Sequence, residues 1–317
     1  MPVNTPLFLD CDTGIDDALA LGYLLRTPNI DLRGIGTVSG NISAAEAALN
    51  TASLLRILDR DDIPVAIGEH DPRRGSYAGG APEVHGVNGI GDVTLPRGRQ
   101  PSAEPAPELL IRLAREADRR GEQLDVLAIG PLTNIARAVE LAPELPQLVG
   151  RLTVMGGAVH VSGNITPAAE ANIFNDPESA RLVLRAGFRT TLVPLDVTHH
   201  HYFDDEDAAD LTADGTPLAR ALGAMLCCYI DYYESVLGRR RSPLHDPLAA
   251  AIASAEVAPT VVEDSSIDVL VTGPERGRTI IAEDESVATT RVILGAAPEA
   301  AALIKQRILR TRMECAA

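Results

Sequence analysis

The chain has 317 residues, 45% of them apolar but only 3% aromatic and none tryptophan, enough for one large α/β domain or two smaller ones with a core of Ala, Val, Leu and Ile. A net charge of −16 and an isoelectric point near 4.8 argue against nucleic-acid backbones and anionic membranes as partners. Cys11, Cys227, Cys228 and Cys315 make no disulfide framework. The opening MPVNTPLFLD lacks a basic and then apolar leader, and no apolar run reaches membrane-spanning length, so a reducing, cytoplasmic setting is expected.

Leu7-Phe8-Leu9 reads as a buried strand, broken at Thr13-Gly14 and followed by a helix over residues 16–26. Asp10, Asp12, Asp16 and Asp17 fall within eight positions at this strand-to-helix turn, the edge at which open α/β sheets bind ligands. Carboxylates this close repel one another, so either some hold protons or a cation sits among them. Without Cys or His pairs nearby, that cation is a hard one, Ca²⁺ or Mg²⁺, although the EF-hand spacing is absent. A second strand over 32–38 ends in Ser39-Gly40-Asn41, which puts Asn41 at the same edge, and Ser43 caps a helix to Leu58. Gly34 and Gly36 lie inside the strand and do not make a dinucleotide fingerprint. After a short strand at 65–67, residues 68–101 form a long loop rich in Gly, Pro and Arg that contains His85; loops of this length are functional or disordered. An amphipathic helix over 103–119 and a strand over 124–129 lead into Gly130-Pro131-Leu132-Thr133-Asn134, which opens the next helix with ordinary capping chemistry.

A strand at 152–155 closes on Gly156-Gly157 and precedes GNITPAAEANIFNDPESA. Here Asn164, Glu170, Asn172 and Asp176 gather amides and carboxylates without basic neighbours, which suits sugar hydroxyls and not phosphate. A strand over 190–195 runs into His199-His200-His201; consecutive histidines do not readily face one ion, so they are read as loop or cap residues. In the helical region 204–237, Tyr229 and Tyr233 share a face, packing the core or lining a pocket. His245 and Asp246 stand at another helix start, with Pro247 in its first turn. Short alternating strands over 260–292 and a helix over 298–310 complete the chain. With no linker or repeat, residues 1–317 are expected to form a single domain with a mostly parallel central sheet flanked by helices, a Rossmann-like core.

DCDTGIDD resembles the D-x-D-P-G-x-D-D signature of the inosine–uridine-type nucleoside hydrolases, with Thr13 in place of proline. Further motifs in the same order are Gly130–Asn134, the N-x-x-x-x-x-E-x-N pattern at Asn164–Asn172, and His245-Asp246-Pro247, so the likeness spans Asp10 to Pro247. It implies the nucleoside hydrolase fold and Ca²⁺-dependent hydrolysis of the N-glycosidic bond of ribonucleosides to ribose and free base. It also implies a Ca²⁺ site made by Asp12, Asp17, Asp246 and the Thr133 carbonyl, supported by Asp10, with Asp12 as general base. Asp16, Asn41, Asn164, Glu170 and Asn172 would hold the ribose, and His85 would lie near the base. His245 would face the leaving base, where its ordinary pKa of about 6.5 suits protonation. Members are homo-oligomers, and a dimer or tetramer is expected. Ala171 stands where some members carry an aromatic residue, and the preferred base stays open. LFLDCDT also resembles the D-x-D-x-T motif of haloacid dehalogenase-like phosphatases, but these need a lysine and the chain has only Lys305. A non-catalytic nucleoside or ADP-ribose binder would be marked by loss of an essential aspartate, and none is lost.

Overall fold

A computed structural model describes residues 4–283 and 288–309. Strands β1 (Thr5–Cys11), β2 (Ile30–Thr37), β3 (Val65–Ile67), β4 (Leu124–Ala128), β5 (Val149–Met155) and β6 (Thr190–Val193) are parallel, in the order β3-β2-β1-β4-β5-β6. β7 (Tyr202–Asp204) and β8 (Arg241–Pro243) form a separate antiparallel ribbon. β9 (Pro259–Val269), β10 (Thr279–Ile281) and β11 (Thr289–Ala296) extend the main sheet beyond β6. There β11 is parallel to β6, and β9 is antiparallel to both β11 and β10.

The strand order reverses between β1 and β4. At such a point the following connections leave on opposite faces and a crevice opens at the carboxyl ends. β1 shows how the sheet is covered: Leu7, Leu9 and Cys11 pack into one apolar cluster and Phe8 into another, the two-residue period of a strand buried on both faces. The first cluster is closed by helices Ile15–Leu24, Pro217–Leu237, His245–Ala253 and Ala300–Leu309. The second is closed by Ala106–Arg119, Thr133–Leu141 and Pro177–Arg185.

Most elements lie within a few residues of the positions read from sequence. The last stretch differs, because β9 runs for eleven residues where short strands are expected. Its Glu-Asp-Ser-Ser centre has low strand propensity, and the ladder to β11 holds it extended. The region read as mostly helical over 204–237 begins with the end of β7 and holds two helices, Asp205–Ala213 and Pro217–Leu237. The terminal helix spans Ala300–Leu309; Arg310, expected to end it, and Cys315 lie outside the described residues. Among the described residues no helix is long and apolar enough to cross a membrane.

Candidate active site

Asp10 is the penultimate residue of β1 and Asp12 lies just past its end, while Asp16 and Asp17 occupy the first turn of helix Ile15–Leu24, where free N–H groups and the dipole favour anions. Asp17 folds back over the turn: its Oδ2 accepts from the Gly14 N–H at 2.8 Å and its Oδ1 from the Asp12 N–H at 3.1 Å. Asn41, beyond β2, donates its backbone N–H to Asp12 Oδ2 at 2.7 Å and its side-chain amide to Asp17 Oδ2 at 3.2 Å. This close packing explains Gly40, since a Cβ there would lie 2.0 Å from Asp12 Oδ2. From 229 residues further along, Asp246 enters at the start of helix His245–Ala253; Asp16, Asp17 and Asp246 each offer an oxygen within 4.8 Å of the others.

These carboxyls are buried, and no Lys or Arg lines the cavity beside them. Burial is the main cause, and like charge a further one, of raised pKa values: Asp17 is pushed up to about 7, and Asp12 and Asp246 well above the carboxylate range. Burial alone pushes Asp10 up to about 7. Asp10 Oδ2, Asp12 Oδ1 and Asp16 Oδ1 are buried with no hydrogen-bond partner. Orphaned anionic oxygens carry a large desolvation cost unless protons or a cation offset it. The all-oxygen donor set fits a hard divalent ion. The three consecutive histidines do not converge on such a point; His199 lies ring to ring with His245 at 5.6 Å.

Across the same cavity, the connection after β5 presents Asn164, Glu170 and Asn172. Glu170 caps the short helix Ala171–Asn175, accepting from the N–H groups of Asn172, Ile173 and Gly157 at 2.9, 3.1 and 2.9 Å. Asn172 donates its amide to the carbonyls of Ile129 and Met155 at 2.8 and 3.2 Å, and Asn164 Oδ1 accepts from the Ala171 N–H at 3.0 Å. Ala171 lines the cavity with a methyl group alone.

The third wall is aromatic. Tyr229 and Tyr233 lie edge to face at 4.9 Å, and the Tyr229 hydroxyl donates to Asp16 Oδ2 at 3.0 Å. His85, on a single turn of helix (Pro82–His85) within the long loop, is buried and stacks on Tyr229 at 5.4 Å; its Nδ1 accepts from the Ile15 N–H at 3.1 Å. His245 hydrogen-bonds through Nδ1 to the Thr198 hydroxyl at 2.8 Å and through Nε2 to the Tyr233 hydroxyl at 3.1 Å. Its ordinary pKa does not survive: burial, then His199 and His85, lower it to about 3, so the ring is neutral at pH 7.

Asn134 and Asp176 brace this arrangement from behind. Asn134 donates to Asp10 Oδ1 at 2.8 Å and to the Thr37 carbonyl at 3.0 Å, and accepts from the Glu69 N–H at 2.8 Å, so one side chain joins the ends of β1, β2 and β3. Asp176 accepts from the Thr133 hydroxyl, the Arg73 N–H and the Ser179 N–H at 2.8, 2.9 and 3.0 Å. Asn134→Ala leaves Asp10 Oδ1 and the Glu69 N–H without this partner, while the Thr37 carbonyl keeps the Gly68 N–H at 2.8 Å, and is expected to destabilise the protein by about 2 kcal/mol in urea unfolding; a loss below about 0.5 kcal/mol would show the brace to be dispensable.

Residues 7–304 match the family model described as inosine-uridine preferring nucleoside hydrolase. The chain is 38% identical to "Probable uridine nucleosidase 2" of Arabidopsis thaliana over 76% of its own length and 74% of that protein's. It is 37% identical to "Pyrimidine-specific ribonucleoside hydrolase RihA" of Enterobacter sp. (strain 638) over 78% of each. A solved structure titled "Plant nucleoside hydrolase - PpNRh1 enzyme" superposes with a TM-score of 0.91 at 31% identity, covering 98% of this chain and 100% of that one. A crevice at the strand reversal, with a buried carboxylate cluster facing amides on one side and aromatic rings on the other, accompanies these likenesses, and the chain belongs to the inosine–uridine preferring nucleoside hydrolase family, as an N-glycosyl hydrolase of ribonucleosides.

Proposed function

We propose that the cavity hydrolyses pyrimidine ribonucleosides, uridine foremost, with Ca²⁺ bound by Asp12, Asp17, Asp246 and the Thr133 carbonyl. The observation that carries the reading is the buried carboxylate cluster, with Asp12 Oδ1 and Asp16 Oδ1 unpartnered, beside a cavity that Asp16 and Asp246 line together with Asn164, Glu170, Asn172, Tyr233 and His245. The names of the two curated relatives support the choice of base. A bound hard cation supplies a site where a water and sugar hydroxyls are held and the water is acidified.

Asp12 serves as general base: Asn41 occupies its Oδ2, and Oδ1 is left to accept the water proton. Asp16, Asn41, Asn164, Glu170 and Asn172 grip the ribose. Because Asn172 spends its amide hydrogens on backbone carbonyls, a hydroxyl meets its Oδ1; because Asn164 Oδ1 is taken, a hydroxyl meets its amide hydrogens. The surrounding carboxylates stabilise positive charge on the sugar as the C–N bond breaks. His245 acts on the departing base through Tyr233: with the Thr198 hydroxyl donating to Nδ1, the neutral ring donates its Nε2–H to the Tyr233 oxygen and leaves that hydroxyl's own proton for the base, while His85 and Tyr229 wall the base side. The phosphatase reading is set aside, because Lys305 pairs with Asp207 and Asp210 at 2.8 and 2.6 Å and no cation lines the cavity. A cytoplasmic homo-oligomer, dimer or tetramer, completes the proposal.

The test is reducing-sugar release from uridine, cytidine, inosine and adenosine, with and without chelator. Uridine is expected to be cleaved fastest, with at least about 100-fold loss on chelation. A purine cleaved faster overturns the base assignment, and release indifferent to chelator overturns the metal.

A further inference from the structure

The turn that presents Asp12 departs from the family signature at one position, where Thr13 stands in place of proline. A proline stiffens such a turn by fixing its own φ. Thr13 supplies no such restraint, yet the turn holds Asp12 beside Asp16 and Asp17, where like charges oppose one another once ionised. In place of the ring the structure has a hydroxyl contact. Thr13 Oγ1 lies 2.6 Å from Thr51 Oγ1, in helix Ala44–Ile57, and the two residues are 1% and 0% exposed.

The proton order in this pair follows from its neighbours. Thr51 spends its hydroxyl proton on the Ala47 carbonyl at 2.8 Å, so at the short contact Thr13 donates and Thr51 accepts. Cys11 Sγ, at the end of β1, lies 3.4 Å from Thr13 Oγ1 and 3.7 Å from the Gly36 carbonyl, so its S–H has an acceptor on either side. A buried chain of side chains thus runs from β1 through the turn into the helix. That helix is fixed to the end of β2 at its first residue: the Thr37 hydroxyl donates to the Ala44 carbonyl at 2.8 Å, and the Ala44 N–H donates to Ser39 Oγ at 2.9 Å. Asn41, whose N–H holds Asp12 Oδ2, belongs to the same connection. Thr51 therefore ties the turn after β1, with Asp12 and Asp17, to the connection after β2, with Asn41. Neither Thr13 nor Thr51 lines the cavity.

We infer that the Thr13–Thr51 pair is a latch that does the work of the signature proline, and that Thr51 is a positioning residue which holds the carboxylates of the turn ready for the cation, an inference that rests on the Ca²⁺ reading of the cluster. Thr51→Val keeps the shape of the side chain but removes the acceptor of the buried Thr13 hydroxyl. Thr13→Pro has the opposite effect: Thr51 keeps the Ala47 carbonyl, Cys11 keeps the Gly36 carbonyl, and the ring takes over the restraint. Thr13 is not among the residues with positive φ, so the backbone there admits proline.

The test is the Ca²⁺ dissociation constant of the chelator-stripped protein, by calorimetry, read beside its melting temperature without Ca²⁺. Thr51→Val should raise Kd about ten-fold or more. Thr51→Ser, which keeps the hydroxyl, should stay within about two-fold of wild type, and Thr13→Pro added to Thr51→Val should bring Kd back to within about three-fold. A pair that served the fold alone would lower the melting temperature and leave Kd where it was. A Kd for Thr51→Val within about two-fold of wild type therefore overturns the latch while the Ca²⁺ reading stands, as does a double variant that binds no better than Thr51→Val. A wild type that takes up no Ca²⁺ overturns both.

Discussion

Asp12→Asn is expected to lower kcat for ribose release about 10⁴-fold while the melting temperature of the chelated protein stays level or rises. The two halves of this expectation share one cause. Asp12 is buried beside Asp17 and Asp16, and its charged form is disfavoured by desolvation first and by Asp17 next. An amide of the same shape can still turn its oxygen to the Asn41 N–H, now held at 2.7 Å, so the turn keeps its tie. What is lost is the unpartnered Oδ1, the acceptor assigned to the water proton, and one negative charge from a site that needs charge for a cation and for the developing sugar cation. A residue that served only the fold would behave the other way, losing stability and retaining turnover in the folded fraction. Single-turnover release and thermal melting on the same preparation separate the two. Retention of more than about a tenth of wild-type kcat would remove Asp12 from the base role.

The parts of this site legible in the residues are those set by local spacing. Leu7-Phe8-Leu9 followed by Asp10, Asp12, Asp16 and Asp17 announces a strand end and a helix start carrying carboxylates, and the structure has β1 and helix Ile15–Leu24 there. Asn41 past a strand end is read from the same logic. Contacts that depend on the packing of remote elements leave no such sign. The Tyr229 hydroxyl reaches Asp16 across 213 positions, and the Ile15 N–H reaches His85 across 70. Asn134 reads as a capping residue in Gly130–Asn134, yet its partners are Asp10, Thr37 and Glu69, 124, 97 and 65 positions away. His245 shows the same limit in its chemistry: its ordinary pKa follows from residue type, and its lowered one follows from burial beneath Tyr233 and Thr198.

The chelated protein is expected to lose about 5–10 °C in melting temperature between pH 6.5 and 8, and Ca²⁺ to restore it at pH 8 far more than at pH 5.5. A carboxyl whose folded pKa is raised binds its proton more tightly folded than unfolded. Its contribution to stability is therefore full below about pH 4 and is lost as pH rises through the folded value. Asp10 and Asp17, held near 7, together account for roughly 2 kcal/mol of loss across the upper window, and Asp12 and Asp246, raised in the same direction by burial and like charge, add to it. His245 and His85 work in the opposite sense. Their folded values are depressed by burial, so their contribution is present above about 6.5 and lost as pH falls. The two groups oppose each other between about 4 and 6.5, and above 6.5 the carboxyls alone set the slope. A divalent cation needs these groups ionised, so its affinity rises over the range in which the chelated protein weakens; at 100 times its Kd it adds about 2.7 kcal/mol. Asp246→Asn removes one of the cluster's charges and should flatten the chelated protein's pH slope, raise its melting temperature at pH 8 and abolish the Ca²⁺ increment. A chelated wild type that gains stability from pH 6.5 to 8, or a Ca²⁺ increment equal at pH 5.5 and 8, would mean that the carboxylates are not what the cation relieves.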